Sequence, residues 1–311
     1  MAMRWWPVLV AAAMMATAAE GFISAKTWSA VRRANDRGGP FVGLVVPNAN
    51  EMDPVLNSPS FTPTPTLPSY LDIQGRRFRF GAIGGQNVVM VMTGLSMLNA
   101  GLTTQLLLSL FRVKGIVHWG IAGNADEGLQ IGDVTIPEHW AHLSLWNWQR
   151  YGDGPENELP RSRPPATTPA TSASSTSPTK PSRSHCGMEL PACVNATTCL
   201  PRAPRVTRVR RGCSANVFLD NAAYRQFLRA KFGCTPVEME SAAVALVAHQ
   251  HAVPFLTIRS LSDLAGGGSS LGNEAGEFLA IAAQNAVDVM LNFVPLLADG
   301  GAAHDAVAAD M

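Results

Sequence analysis

Thr235-Pro-Val-Glu-Met-Glu-Ser-Ala-Ala-Val244 and Ile258-Arg-Ser-Leu-Ser-Asp263 are the two stretches whose reading decides the fold. The first sets two carboxylates, Glu238 and Glu240, at the head of an alanine-rich helical run. After that run, Val253-Pro-Phe-Leu-Thr-Ile-Arg259 reads as a buried strand that delivers Ser262 and Asp263 to its far end. An apolar strand ending in an acid, beside a helix that starts with acids, is how open α/β sheets build ligand sites. The competing reading of Glu238 and Glu240 is an N-terminal cap, because acids in a first turn suit the helix dipole.

Working outward, the chain alternates strands and helices. Residues Ala25 to Asp36 read as a helix. Strands follow at Phe41–Val46, Phe78–Ile83 and Val88–Thr93, all rich in β-branched and aromatic residues. Four prolines between Pro59 and Pro68 make the intervening stretch extended or loop-like. A helix from Met97 to Phe111 carries Leu98, Leu102, Leu106 and Leu110 at four-residue spacing, which reads as a core stripe. Strands at Gly115–Trp119 and Val134–Pro137 come next. Helices are expected at Tyr224–Lys231, Glu240–Gln250 and Phe278–Leu297. The last should lay Phe278, Ile281, Ala282, Asn285, Val289 and Phe293 on the sheet. This alternation predicts a single-domain, three-layer α/β/α sandwich around a mixed central sheet.

Composition narrows the classes. At 311 residues and 47% hydrophobic, the chain can bury one large core. A net charge of +1 gives no nucleic-acid surface. Arginines do cluster at Arg202, Arg205, Arg208, Arg210 and Arg211, but without interleaved aromatics they read as a solvated loop. Arg4 ahead of the apolar run Trp5–Ala19, with Ala16-Thr-Ala18 as a cleavage site, marks residues 1–24 as a signal peptide too short for a comfortable membrane span. The expected destination is the secretory pathway, extracellular or vacuolar, where Asn195-Ala-Thr197 is a usable glycosylation sequon. That compartment permits disulfides among the five cysteines, although spacing leaves their pairing open. Metal binding is not expected, because Cys193 and Cys199 lack a second close pair. Likewise His118, His139, His142, His249 and His251 have no partner at metal spacing. No cofactor is implied.

One segment stands apart. Residues 160–187 are almost all Pro, Ser, Thr, Ala and Arg, a composition that cannot bury a core. A translated frameshift or mis-spliced exon is the preferred reading, since long structureless loops inside compact domains are uncommon. A natural disordered insert is the alternative. Residues 298–311 read as a flexible tail after a domain spanning 40–297.

Together these motifs resemble the nucleoside phosphorylase and methylthioadenosine nucleosidase superfamily. The Glu238-Met-Glu240 sugar motif and the Ser262-Asp263 pair carry the likeness. Phe41–Val46 followed by Pro47-Asn-Ala-Asn-Glu51, Val89–Ser96, and the Gly115–Ala125 segment running to Gly132-Asp-Val134 add to it in the same order. The resemblance is nearest to the plant bark storage, or vegetative storage, branch.

It implies a purine nucleoside as ligand and a scissile N-glycosidic bond, cleaved through a sugar cation-like transition state. Asp263 would protonate the departing base at N7 from a pKa raised by burial, with Ser262 orienting its carboxylate. Glu240 would grip the ribose hydroxyls, and Met239 would pack on the sugar. Phe218 and Leu219, in Cys213–Asp220, would cover and bond the base, and Thr93 and Ser96 would bind an anion or the water's neighbours. Glu51 would activate water, because the turn before it has neither the Gly nor the Arg that phosphorylases use for phosphate. Glu238 is expected to be structural. The likeness also implies a homodimer; Trp140, Trp146 and Trp148 are a candidate interface, with ordinary packing an equally good reading. A catalytically silent storage glycoprotein is the alternative function.

Overall fold

The computed structural model describes residues 23–143, 167–169, 189–266 and 275–297. Eleven strands form one mixed sheet: β10 (Pro236–Glu238), β9 (Val206–Ser214), β7 (Val134–His142), β11 (Phe255–Asp263), β6 (Val113–Asn124), β1 (Phe41–Val46), β5 (Gln86–Met92), β4 (Arg76–Ile83) and β2 (Phe61–Thr62) lie side by side in that order, with β3 (Tyr70–Ile73) added on β4 and β8 (Thr167–Pro169) on β7. Its centre is parallel. β1 (Phe41–Val46) lies between β5 (Gln86–Met92) and β6 (Val113–Asn124), and β6 is flanked on its other side by β11 (Phe255–Asp263). These strands are apolar because both faces are covered: every residue of β1 is buried. β4 (Arg76–Ile83) pairs antiparallel with β5, and β2 (Phe61–Thr62) and β3 (Tyr70–Ile73) pair with β4.

Helices cover both faces. On one, α1 (Ala25–Gly38), α3 (Met97–Leu110) and α5 (Ser241–Gln250) share a core with Phe41, Phe78 and Phe111. On the other, α2 (Ala49–Leu56) and α6 (Ala275–Phe293) pack over Leu44, Met90 and Trp119. The expected three-layer α/β/α sandwich is therefore the observed one. In α6, Ile281, Ala282, Asn285 and Val289 are buried, whereas Phe278 and Phe293 at its ends are half-buried. Caps set the helix starts: Ser24 accepts from Thr27, Asn48 from Glu51 and Asn221 from Tyr224, the last opening α4 (Ala222–Phe232).

Three expectations need correction. The leucines of α3 do not form one core stripe: Leu98 is 70% exposed and Leu102 62%, while Leu110 is 4%. Four-residue spacing advances about 40° per step on a helix of 3.6 residues per turn. A row of four thus winds from the solvent face into the core, and Met97, Ala100, Thr103, Thr104 and Leu107 share the burial with Leu110.

Three of the five clustered arginines are on a strand rather than in a loop. Arg208, Arg210 and Arg211 lie on β9 (Val206–Ser214), parallel to β7 (Val134–His142), and Arg202 binds the buried Asp133. Exposed residues alternating along this strand let the sequence read as polar although its backbone runs parallel to β7. Trp140 is fully buried, its ring lying where a side chain on Gly212 of β9 would stand, so Trp140 is packing rather than surface. Trp146 and Trp148 lie outside the described residues.

Of the segment 160–187, β8 (Thr167–Pro169) pairs antiparallel with β7. The rest of that segment lies outside the described residues, as do the leader through residue 22 and the 298–311 tail. Disulfides join Cys193 to Cys199 and Cys213 to Cys234. Asn195 is exposed inside the first loop, its Oδ1 accepting from the N–H groups of Thr197 and Thr198.

Candidate active site

The carboxyl ends of β1, β6 and β11 open into one cavity of about 360 Å³, the place where parallel sheets bind ligands. Glu51, Met239, Glu240, Ser262 and Asp263 line it together with Phe218 and Leu219. Seven residues read from four separate stretches of chain therefore meet around one space.

Glu51 comes from the first turn of α2, not from an open turn, and is 1% exposed. Its Oε1 accepts the N–H of Ile121 at 2.7 Å, and its Oε2 accepts the side-chain amide of Asn48 at 2.7 Å. Trp119 fixes the same turn by donating its indole N–H to the Glu51 carbonyl at 3.0 Å. Burial pushes the carboxyl up to about 7, against the opposing pull of Arg259. A carboxyl with that value accepts a proton from water near neutral pH.

Glu238 and Glu240 divide the duties that sequence left merged. Glu238, the last residue of β10 (Pro236–Glu238), accepts the backbone N–H groups of Glu240 at 3.0 Å and Ser241 at 2.9 Å, and so caps α5. Its carboxylate also takes hydroxyl bonds from Ser214 and from Ser241. Glu240, relieved of capping, turns into the cavity. Its Oε1 accepts the N–H of Ser96 at 2.9 Å, and burial, reinforced by the charge of Glu238, holds its carboxyl up at about 8.

Asp263 is buried at the end of β11. The hydroxyl of Ser262 donates to its Oδ2 at 2.8 Å and the N–H of Ala265 to its Oδ1 at 2.6 Å, so the carboxyl has a fixed plane. Thr93 and Ser96 are placed differently from the rest. The Thr93 hydroxyl donates to the Gly94 carbonyl at 2.7 Å, and Ser96 serves Glu240 through its backbone. Phe218 is 67% exposed, on a loop whose Asn216 accepts the N–H of Met97 at 3.0 Å. Met239 is half-buried.

Arg259 is the residue that sequence reading passed over. It is fully buried and reaches every acid of the floor: Glu238 at 2.5 Å, Glu240 at 3.5 Å and Glu51 at 4.0 Å. Its Nη1 donates to the Ile121 carbonyl at 3.1 Å, and its Nη2 donates to His118 Nε2 at 2.5 Å. His118 in turn donates from Nδ1 to the Val45 carbonyl at 2.9 Å. Burial, then the neighbouring guanidinium, holds His118 well below its ordinary value, so it stays neutral. A cation in the middle of Phe255–Asp263, otherwise an apolar strand, was the available signal. Gly120 is the matching space: a side chain there would collide with both Glu51 and Arg259.

Arg76 donates to Asn99 at 2.9 Å beside the Gly94 turn.

A family model described as "Phosphorylase superfamily" matches residues 41–295. The chain belongs to that superfamily. Among curated proteins, it is 28% identical to bark storage protein A of Populus deltoides over 258 residues, covering 74% of this chain and 81% of that one. It is 32% identical to the 5'-methylthioadenosine/S-adenosylhomocysteine nucleosidase of a Marinomonas species over 216 residues, covering 68% and 83%. The solved structure of the nucleosidase of that name from Neisseria meningitidis, in complex with methylthio-immucillin-A, superposes with a TM-score of 0.59 at 21% identity. That superposition covers 82% of this chain and 98% of that one, and it speaks to the fold.

Proposed function

We propose that the chain hydrolyses the N-glycosidic bond of purine nucleosides. The observation that carries this reading is a buried Glu51 with a carboxyl near 7 in the same cavity as Asp263 and Glu240. The cavity size suits one nucleoside. As the bond from C1′ to the base breaks, its electron pair leaves with the purine, and Asp263 supplies the proton to N7. Water forms the new bond to C1′ and gives its proton to Glu51. Glu240 holds the ribose hydroxyls by hydrogen bonds to its two carboxyl oxygens, Met239 packs on the sugar and Phe218 on the base. Arg259 keeps three carboxyl groups in one floor without mutual expulsion.

Water rather than phosphate is the preferred nucleophile, because Pro47-Asn-Ala-Asn-Glu51 brings an acid to the cavity and neither Gly nor Arg. The test is adenine release from methylthioadenosine by the folded chain, with and without phosphate. Release in phosphate-free buffer supports hydrolysis. A requirement for phosphate moves the nucleophile to the Arg76 side. No release from folded chain favours the second reading, a silent storage protein, whose support is the likeness to bark storage protein A.

A homodimer belongs to the same proposal. Leu98, Leu102 and Leu246 are exposed on adjacent helices, and they adjoin the exposed Leu95 at the cavity mouth. A second copy would cover this face. Secretion, with glycosylation at Asn195, is proposed on the leader, the sequon and the two disulfides.

A further inference from the structure

The side chain of Asn48 makes two bonds to one residue, and capping accounts for only one of them. Its Oδ1 accepts the N–H of Glu51 at 3.3 Å, the usual N-cap bond. Its Nδ2 donates to Glu51 Oε2 at 2.7 Å. Serine and aspartate cap about as well as asparagine, yet neither could donate this second bond in the same geometry. The amide falls on the oxygen that Ile121 leaves free, since the Ile121 N–H is on Oε1 at 2.7 Å. Gripped from both sides, the carboxyl cannot turn about its last torsion, which is otherwise soft.

We propose that Asn48 is a positioning residue for the reaction, its amide holding the Glu51 carboxylate ionised and in one orientation at the cavity wall. The inference rests on the reading of Glu51 as the group that activates water.

Hydrogen bonds donated to a carboxylate favour its charged form. Arg259 on β11 acts in the same direction from 4.0 Å. Burial and the charge of Glu238 on β10 act against it. Glu240 at the head of α5 faces the same guanidinium at 3.5 Å, His118 on β6 stands behind Arg259 as a neutral ring, and Asp263 lines the far wall. Asn48 is therefore one of few groups pulling toward ionisation, and it also lines the cavity.

The experiment uses the full mature chain labelled with carbon-13 at glutamate carboxyls. The Glu51 resonance is identified by its loss in Glu51→Gln. Asn48→Ser keeps the cap and removes the amide; Asn48→Asp keeps the cap and sets a charge against Glu51. The Glu51 titration midpoint should rise by about one pH unit in Asn48→Ser and by more in Asn48→Asp. The acidic limb of kcat/KM for adenine release should move with it, while Tm at pH 5 stays near that of the unsubstituted chain.

Midpoints unchanged in the folded variants would overturn the proposal and leave Asn48 a helix cap. Should Asn48→Ser fail to fold, Asn48→Asp decides. If the titration shifts as expected but the unsubstituted chain releases no base, the proposed hydrolysis fails and the hold of Asn48 on Glu51 stands.

Discussion

The cavity floor and the outer face of α3 and α5 invert the ordinary rule of burial in opposite senses. The floor puts Glu51, Glu238, Glu240 and Arg259 out of water, where charged residues are almost never found unless paired. The outer face leaves Leu98, Leu102 and Leu246 in water beside one another. The floor is tolerated because each acid has fixed donors: backbone N–H groups from Ile121, Ser96 and Ser241, and one shared guanidinium. No such compensation exists for exposed leucine, so that face calls for a partner. One inversion is completed within the chain, and for the other a second copy of it is the proposed cover.

The comparison can be broken at either end. Removing the acid that protonates the base should have the largest effect: Asp263→Asn is expected to lower kcat/KM for adenine release about 10³-fold with the fold intact. A variant within threefold of the unsubstituted chain would remove Asp263 from the chemistry. Arg259→Met tests whether the floor is held by its single cation. Stripping one partner from a buried ionic set costs about 3–5 kcal/mol, which urea unfolding would read. An unchanged midpoint would mean that the acids do not depend on it.

Glu51→Gln should cost activity and add stability. The Glu51 carboxyl stands at about 7 in the folded protein against 4.5 ordinarily, so the folded state binds its proton more tightly. The penalty for burying it is small below pH 4.5, grows as pH rises through 7, and is complete above that. The substitution should therefore stabilise by roughly 2–3 kcal/mol at pH 8 and by much less at pH 5. A gain equal at both values would contradict the origin assigned to it. The smallest effect on the fold itself is expected from Leu102→Glu. Its stability as a single chain should change little, whereas its mass by light scattering should fall from dimer to monomer. An unsubstituted chain that is already monomeric would end the homodimer proposal.

Much of this was legible in the sequence wherever one physical cause dominated. Phe41–Val46 reads as a strand because both its faces are covered, and the predicted and observed limits coincide. Glu51, Glu240 and Asp263 could be brought together because each sits at the mouth-side end of a strand or the first turn of a helix. What stayed hidden depended on two causes acting at once. The arginines of Val206–Ser214 look like a loop because that strand is half-exposed, and periodicity cannot report a hydrogen-bonded backbone. The α3 leucines are alike in the sequence although Leu98 and Leu102 face solvent, and their winding row looks the same as one core stripe. Glu238 and Glu240 are two residues apart, and only the bonds of Ser241 tell the capping acid from the cavity acid. Arg259 went unread because a charge inside an apolar strand makes sense only once its three acids are seen around it.

The central claim is that water, activated at Glu51, attacks the sugar carbon. The direct measurement is turnover of methylthioadenosine in oxygen-18 water, with mass analysis of the freed sugar. One heavy oxygen on the sugar's anomeric carbon is expected in phosphate-free buffer, and its loss together with turnover in Glu51→Gln. A phosphorylated sugar formed only when phosphate is present, or label that persists at full rate in Glu51→Gln, would contradict it.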